Sequence, residues 1–389
     1  MATHPIIGIT AEWNPFHKGH ASMIQQIQDR YPKALLVGAM SGSFVQRGEP
    51  ALFDKWTRAK WAMEAGVSIV FELPILYALQ SADLFSSYAV DVLASAGVTH
   101  MAFGTESLGE DPLYEAARFA ISPSYEDALR GALERGVSYG EAAHQAMAAY
   151  SPFLATELLK PNNLLGFRYT ETILRKQYPI EILVIHRDMD HPISATKARK
   201  DLAEKKDTSL LPSYAKEEGA RKMEEGDYTD FSRYEESCLL WSRQYTGEAL
   251  RRTGLFREGL ENKWYKESAQ SSYTQMLDAI KSKRYLYSRL KRIGAELLLS
   301  RGNEMSPFSH LLPPGYLRLL GLRREESAYL RHCHLPVITS VAKGLRTLSE
   351  EYRNSLLLDI HGTDMRAFMQ KNPSYRKGRE DYYHSPLIM

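Results

Sequence analysis

Residues Ile6 to His20, IIGITAEWNPFHKGH, constrain the fold more than any other stretch. They open on a short apolar run, Ile6-Ile7-Gly8-Ile9, long enough for a buried strand. Asn14-Pro15 ends that run, because proline leaves a strand ladder and pushes its predecessor out of the helical region. His17-Lys18-Gly19-His20 follows, then a helix-like segment from Ala21 to Tyr31. Two histidines three residues apart therefore stand at a strand-to-helix junction, with a glycine that lets backbone approach a ligand. The first turn of a helix offers unpaired N–H groups and a positive dipole end, which suits phosphate, and imidazoles at i and i+3 share one face.

The same alternation continues. Apolar runs at Ala34–Met40, Val67–Leu73, His100–Phe103 and Ile180–Ile185 read as four more strands, with helices between them, the first capped by Asp54. A helical insertion is expected over roughly Asp111–Tyr150, with starts at Ser124 and Ser138, and another helix from Lys160 to about Lys176. This spacing predicts a doubly wound parallel α/β sheet. Such sheets hold ligands at the carboxyl ends of their strands. The loop 41–50, SGSFVQRGEP, lies at such an end. After the fifth strand come His186-Arg187-Asp188 and then Ile193-Ser194-Ala195-Thr196-Lys197-Ala198-Arg199. Ser194 is a candidate N-cap; hydroxyls, free N–H groups and an arginine there would cradle a polyphosphate. An ordinary capped helix with a solvated basic face is the alternative.

Beyond residue 202 the texture changes. Residues 203–228 are highly charged and read as linker plus surface helix. From Phe231 onward the periodicity is helical, including Ser272–Leu299 and Tyr316–Gly321, so a mainly α-helical domain over 206–389 is expected after an α/β domain over 1–205. The net charge of +2 divides unevenly, at −3 for residues 1–200 and +5 for the remainder. Between 281 and 292 six cations, Lys281, Lys283, Arg284, Arg289, Lys291 and Arg292, occur with two tyrosines and no acid. Cations for phosphate and tyrosines for stacking suit RNA, though a solvated helix face has the same composition. Two cysteines exclude a disulfide framework, and His332-Cys333-His334 reads as structural because adjacent residues rarely share one metal. No apolar run approaches the ~18 residues of a membrane span, and the start shows no basic and apolar export signal, so a cytoplasmic protein is expected.

HKGH and ISATKAR resemble the paired HxGH and ISxTxxR motifs of the nucleotidylyltransferase branch of the HIGH-motif superfamily, whose domain is Rossmann-like. EWNPFHKGH, MSGSFVQRGEPALFDKWTRAKWAMEAGVSIVFELP, FGTES, KPNN and ISATKAR together resemble the tRNA(Met) cytidine acetate ligase family over residues 6–200. KSKRYLYSRLKRI extends the likeness. Trp13 and Lys18 depart from the family's usual Tyr and Asn without removing a needed group. The resemblance implies activation of acetate by ATP with Mg²⁺, then acetyl transfer to N4 of the wobble cytidine of elongator tRNA(Met). His17, His20, Ser194, Thr196 and Arg199 would be catalytic. ATP would lie against Thr10, Ala11, Glu12, Trp13, Asn14, Pro15, Phe16, Lys18, Gly19, Ala21, Ser22 and Met23, with Gly104, Asn162, Asn163 and Arg187. Ser41, Gly42, Gln46, Arg47 and Gly48 are candidates for the acetate or cytidine pocket, and the six cations for tRNA. A small-metabolite adenylyltransferase uses the same motifs but seldom carries a large basic helical domain. A non-catalytic nucleotide or RNA-binding module is the third reading, against which the intact motifs speak.

Overall fold

Strand β1 (Ile6–Ala11) lies inside the sheet, paired on both sides. A computed structural model describes residues 4–389 except 187–192, 283, 301, 303 and 304, and except the side chain of Lys205. The other strands are β2 (Leu35–Ser41), β3 (Phe44–Val45), β4 (Glu49–Pro50), β5 (Ile69–Leu73), β6 (His100–Thr105), β7 (Glu181–His186), β8 (Leu317–Leu322), β9 (Val337–Ile338) and β10 (Leu387–Ile388). The spatial order is β10-β8-β5-β2-β1-β6-β7, with β9 also on β8, while β3 and β4 form a separate hairpin. From β5 to β7 every pairing is parallel. The parallel, doubly wound expectation holds, and the switch point falls between β1 and β6.

Alternation along the strands explains why both faces are covered. Val37, Ile69, Phe71, Met101 and Val184 face one buried cluster; Leu36, Val70, Ala102, Leu183 and Ile185 face the other. Asp54 caps the Lys55–Glu64 helix by accepting from Thr57 N at 2.7 Å. Ser138 and Lys160 start helices as expected, whereas the insertion's second helix, Pro123–Glu134, begins at Ser122 rather than Ser124. A serine directly before a proline at the first helical position is the stronger start. The charged 203–228 stretch contains the Ser213–Glu225 helix, which docks against the α/β half: Trp61 Nε1 donates to Glu218 at 2.9 Å.

Two helical expectations in the second half need correction. Tyr316–Gly321 is not helical: Leu317–Leu322 is β8, wholly buried and antiparallel to β5. A six-residue apolar run cannot be assigned by periodicity, and here an open sheet edge decides it. The segment 272–299 is two helices, Tyr273–Ile280 and Tyr287–Leu299, with the basic stretch beginning in the break. Beneath β5 and β8 two cations and two carboxylates alternate. Lys55 Nζ lies 2.9 Å from Glu72 and 2.8 Å from Asp381; Arg318 reaches the same two at 3.0 and 2.5 Å. All four are buried, so each charge is stabilised by two opposite neighbours rather than by water.

Candidate active site

The loop after β1 is held from behind. Arg58, fully buried, donates to the carbonyls of Glu12 at 2.7 Å, Ser41 at 3.0 Å and Phe53 at 3.1 Å, and to Gly42 O. The loops following β1 and β2 are thereby tied together. Asn14 Oδ1 accepts from Leu52 N at 2.8 Å, the Asn14-Pro15 peptide is cis, and Trp13 adopts a left-handed φ of 43°. These fixed points deliver His17 to the N-cap of the Lys18–Arg30 helix. His17 N donates to His20 Nδ1 at 3.2 Å, so a neutral His20 carries its proton on Nε2 and presents a donor there. The two imidazoles stack with centroids 3.6 Å apart and planes 15° apart. A Cβ on Gly19 would lie 3.0 Å from His17 Cε1, so the glycine permits that stack.

The second motif meets the first directly. Ser194 caps the Ala195–Lys205 helix, accepting from Lys197 N at 3.2 Å. Arg199 donates to Asn14 O at 2.6 Å and pairs with Glu49 at 3.3 Å. Burial lowers the pKa of this guanidinium, with Glu49 and Glu12 opposing the shift. Glu49 in turn pairs with Lys291 at 3.2 Å. Gly48, at φ 75°, brings the hairpin against the Tyr287–Leu299 helix, where a Cβ would lie 2.5 Å from Arg292 N.

A cavity of about 630 Å³ opens at the carboxyl ends of β1, β6 and β7, beside the switch point. It brings together Thr10, Ala11, Glu12, Trp13, Asn14, His17, Lys18, Gly19, His20, Ser22, Met23, Gly104 and Asn162, with Gln46 and Arg47 from the hairpin. Other candidates stand behind the wall. Phe16 is core, packed 5.7 Å from Trp13, Ala21 packs on the same cluster, and Pro15 is buried. Ser41 is buried, Gly42 lies against Glu72, and Gly48 accepts from Tyr234 through its carbonyl at 2.7 Å. Asn163 is buried and works structurally: its Oδ1 accepts from the N–H groups of Glu106 and Ser107 at 3.0 and 3.3 Å. Glu106 returns the favour, accepting from Asn162 N at 3.2 Å and Asn163 N at 2.9 Å. FGTES and KPNN are thus the two halves of one helix start, and the exchange places Gly104 and Asn162 at the cavity. Ser194 and Thr196 are exposed, while their neighbours Ile193 and Ala195 line the wall. Arg187 lies outside the described residues.

The apolar part of the wall, Phe85, Phe103, Leu165, Gly166 and Tyr169, was not expected from the motifs. A signal existed: Asn162, Leu165, Gly166 and Tyr169 recur at i, i+3, i+4 and i+7, one face of the Pro161–Arg175 helix. Burial raises the Tyr169 phenol above its ordinary value, as does nearby Glu12, so it stays protonated.

The basic stretch divides. Lys281 and Arg284 are exposed, Arg284 pairing with Glu258 at 2.8 Å, and Arg289 sits 6.0 Å from the Tyr285 ring centre. Lys291 turns inward to Glu49, and Arg292 is desolvated near Glu296, whose own burial pushes it up to about 7. Lys283 lies outside the described residues. Among the described residues no three His, Cys, Asp or Glu side chains gather to hold a metal, and no helix is long and apolar enough to cross a membrane.

A family model described as HIGH Nucleotidyl Transferase matches residues 4–381. The tRNA(Met) cytidine acetate ligase of Bacillus velezensis is 34% identical over 355 residues, 83% of each chain. That of Bacillus subtilis is 30% identical, over 98% of this chain and 96% of the relative. The chain belongs to the tRNA(Met) cytidine acetate ligase family of HIGH nucleotidyl transferases. Thermotoga maritima TmcAL, solved with alpha-thio ATP bound, superposes on this ligase-family fold with a TM-score of 0.91 at 27% identity, covering 99% of both chains. Its apo form gives 0.90.

Proposed function

We propose that this family member activates acetate with ATP as acetyl-adenylate and passes the acetyl group to N4 of the wobble cytidine in elongator tRNA(Met). The observation that carries this reading is the junction of the two motifs, Arg199 on the carbonyl of Asn14, a residue that lines a cavity that is mostly apolar with donors gathered on one side. The apolar face offered by Phe103, Leu165 and Tyr169 suits a nucleobase. His17, His20 and the helix N-terminus offer donors where phosphate would sit. Acetate attacks the α-phosphorus in line, and charge builds on its oxygens and on departing pyrophosphate. His17 and His20 stabilise the first, and Ser194, Thr196 and Arg199 the second. No protein nucleophile is needed, because acetate itself attacks.

Glu12 is the one carboxylate among the described wall residues. Mg²⁺ accompanying ATP would therefore be carried chiefly by phosphate oxygens, as it commonly is, and would neutralise their charge. Lys281 and Arg284, exposed on the second half, supply contacts to tRNA phosphate. The site stands in a chain of the cytoplasm.

The test is incubation of the protein with ATP, Mg²⁺, labelled acetate and total tRNA, followed by nucleoside digestion and mass spectrometry. N4-acetylcytidine formed by wild type and lost with His20→Ala supports the ligase. Acetate-dependent pyrophosphate release without labelled tRNA would leave adenylation standing and remove the acceptor. Neither product would favour a binding module.

A further inference from the structure

The charges around the cavity are unevenly distributed. Lys18, Arg47, His17, His20 and His186 suit polyphosphate, whereas Glu12 would repel it. The Glu12 carboxylate is nonetheless held in place: its Oε1 accepts from Gln46 N at 2.9 Å, and Arg58 fixes its own carbonyl at 2.7 Å. It stands where the β1 loop meets the β3–β4 hairpin, the boundary between the histidine-bearing wall and the loop at the neighbouring strand end. Half-buried on the wall, with Oε1 already accepting from Gln46 N, this acid in an anion-binding cavity suits a ligand group that donates a proton or a hydrogen bond.

We propose that Glu12 is the group that reads the 4-amino group of the acceptor cytosine and takes its proton during acetyl transfer. This deepens the ligase reading and rests on it. A carboxylate is the natural acceptor for cytosine N4. In the transfer step N4 attacks the acetyl carbonyl carbon, an N–C bond forms, and the C–O bond to the adenylate breaks with its electron pair leaving on AMP. One of the two N4 protons must also leave, and it passes to Glu12 and then to water. The N4 lone pair is delocalised into the ring, so proton removal concerted with attack matters more here than for an alkylamine. The environment suits a base. Burial raises the Glu12 pKa; the Gln46 N–H, Arg47 and Arg199 oppose that shift, and Glu49 adds to it. Tyr169 beside it stays neutral.

The two half-reactions separate this role from ATP binding. Full-length Glu12→Gln, which preserves shape and can still accept from Gln46 N, is assayed for acetate-dependent ATP–pyrophosphate exchange and for transfer from prepared acetyl-adenylate to tRNA. Transfer is expected to fall about 10²-fold further than exchange, the scale of a lost general base. Wild-type transfer should fall as pH drops through the raised Glu12 value, a limb absent from Glu12→Gln and moved in Glu12→Asp. Exchange reports that the cavity has folded; if the glutamine variant is unstable, the aspartate pH profile carries the test. Equal losses in both half-reactions, unchanged transfer, or an unchanged acidic limb would overturn the proposal. Failure of wild type to exchange pyrophosphate with acetate would instead remove the ligase reading beneath it.

Discussion

The two motif-bearing strand ends are built in opposite ways. After β1, Trp13, Asn14 and His17 are almost wholly buried, and four carbonyls converge on Arg58. After β7, Ser194 and Thr196 are exposed, and the motif touches the first through Arg199. One end is organised before any ligand arrives; the other presents a helix start to whatever enters. Preorganised donors act most strongly on the charge that develops in a transition state, so the chemistry should lean on the β1 side.

The largest effect should come from the buried clamp. Arg58→Met strands several buried carbonyls and is expected to cost about 3–5 kcal/mol in urea unfolding. A loss below 1 kcal/mol would mean the β1 loop holds itself. Next, His20→Ala should lower adenylation by about 10²–10³-fold with little change in melting temperature. If Ser194→Ala matches that loss, the asymmetry between the strand ends is wrong. Ser194→Ala itself removes an N-cap, and about 1 kcal/mol of stability is expected to go with it. The smallest effect concerns the basic stretch. Replacing Lys281 by Ala should reduce the salt slope of tRNA binding by about 1, whereas Arg284→Ala and Lys291→Met, whose cations already pair with Glu258 and Glu49, should each change it less. Equal slopes would show that Lys291 leaves Glu49 when RNA binds.

The parallel strands were legible because each is a short apolar run bounded by turn residues, and the histidine motif because its spacing places both rings on one helical face. β8 was not, since LRLLGL carries no period and only the exposed edge of β5 turns it into a strand. Nor does the sequence show that Arg58 faces inward, because a cation among KWTRAK looks solvated until the loops it clamps are known. The stretch 281–292 shows its charge but not its division, which depends on Glu49, hundreds of residues earlier, and on buried Glu296. Asn163 illustrates the converse: a motif residue whose neighbour reaches the cavity while it builds the turn that lets the neighbour do so.

That β8 comes from the far end of the chain has a consequence for biosynthesis. With the Leu317–Leu322 strand still inside the ribosome, β5 would carry an unpaired edge of Ile69, Val70 and Phe71, and Glu72 would lack Arg318. Asp381, the other anchor of that charge cluster, emerges later still. The half that carries both motifs is therefore expected to mature only after translation of nearly the whole polypeptide. Until then it is the kind of nascent intermediate, sticky at one edge and charged within, that chaperones attend.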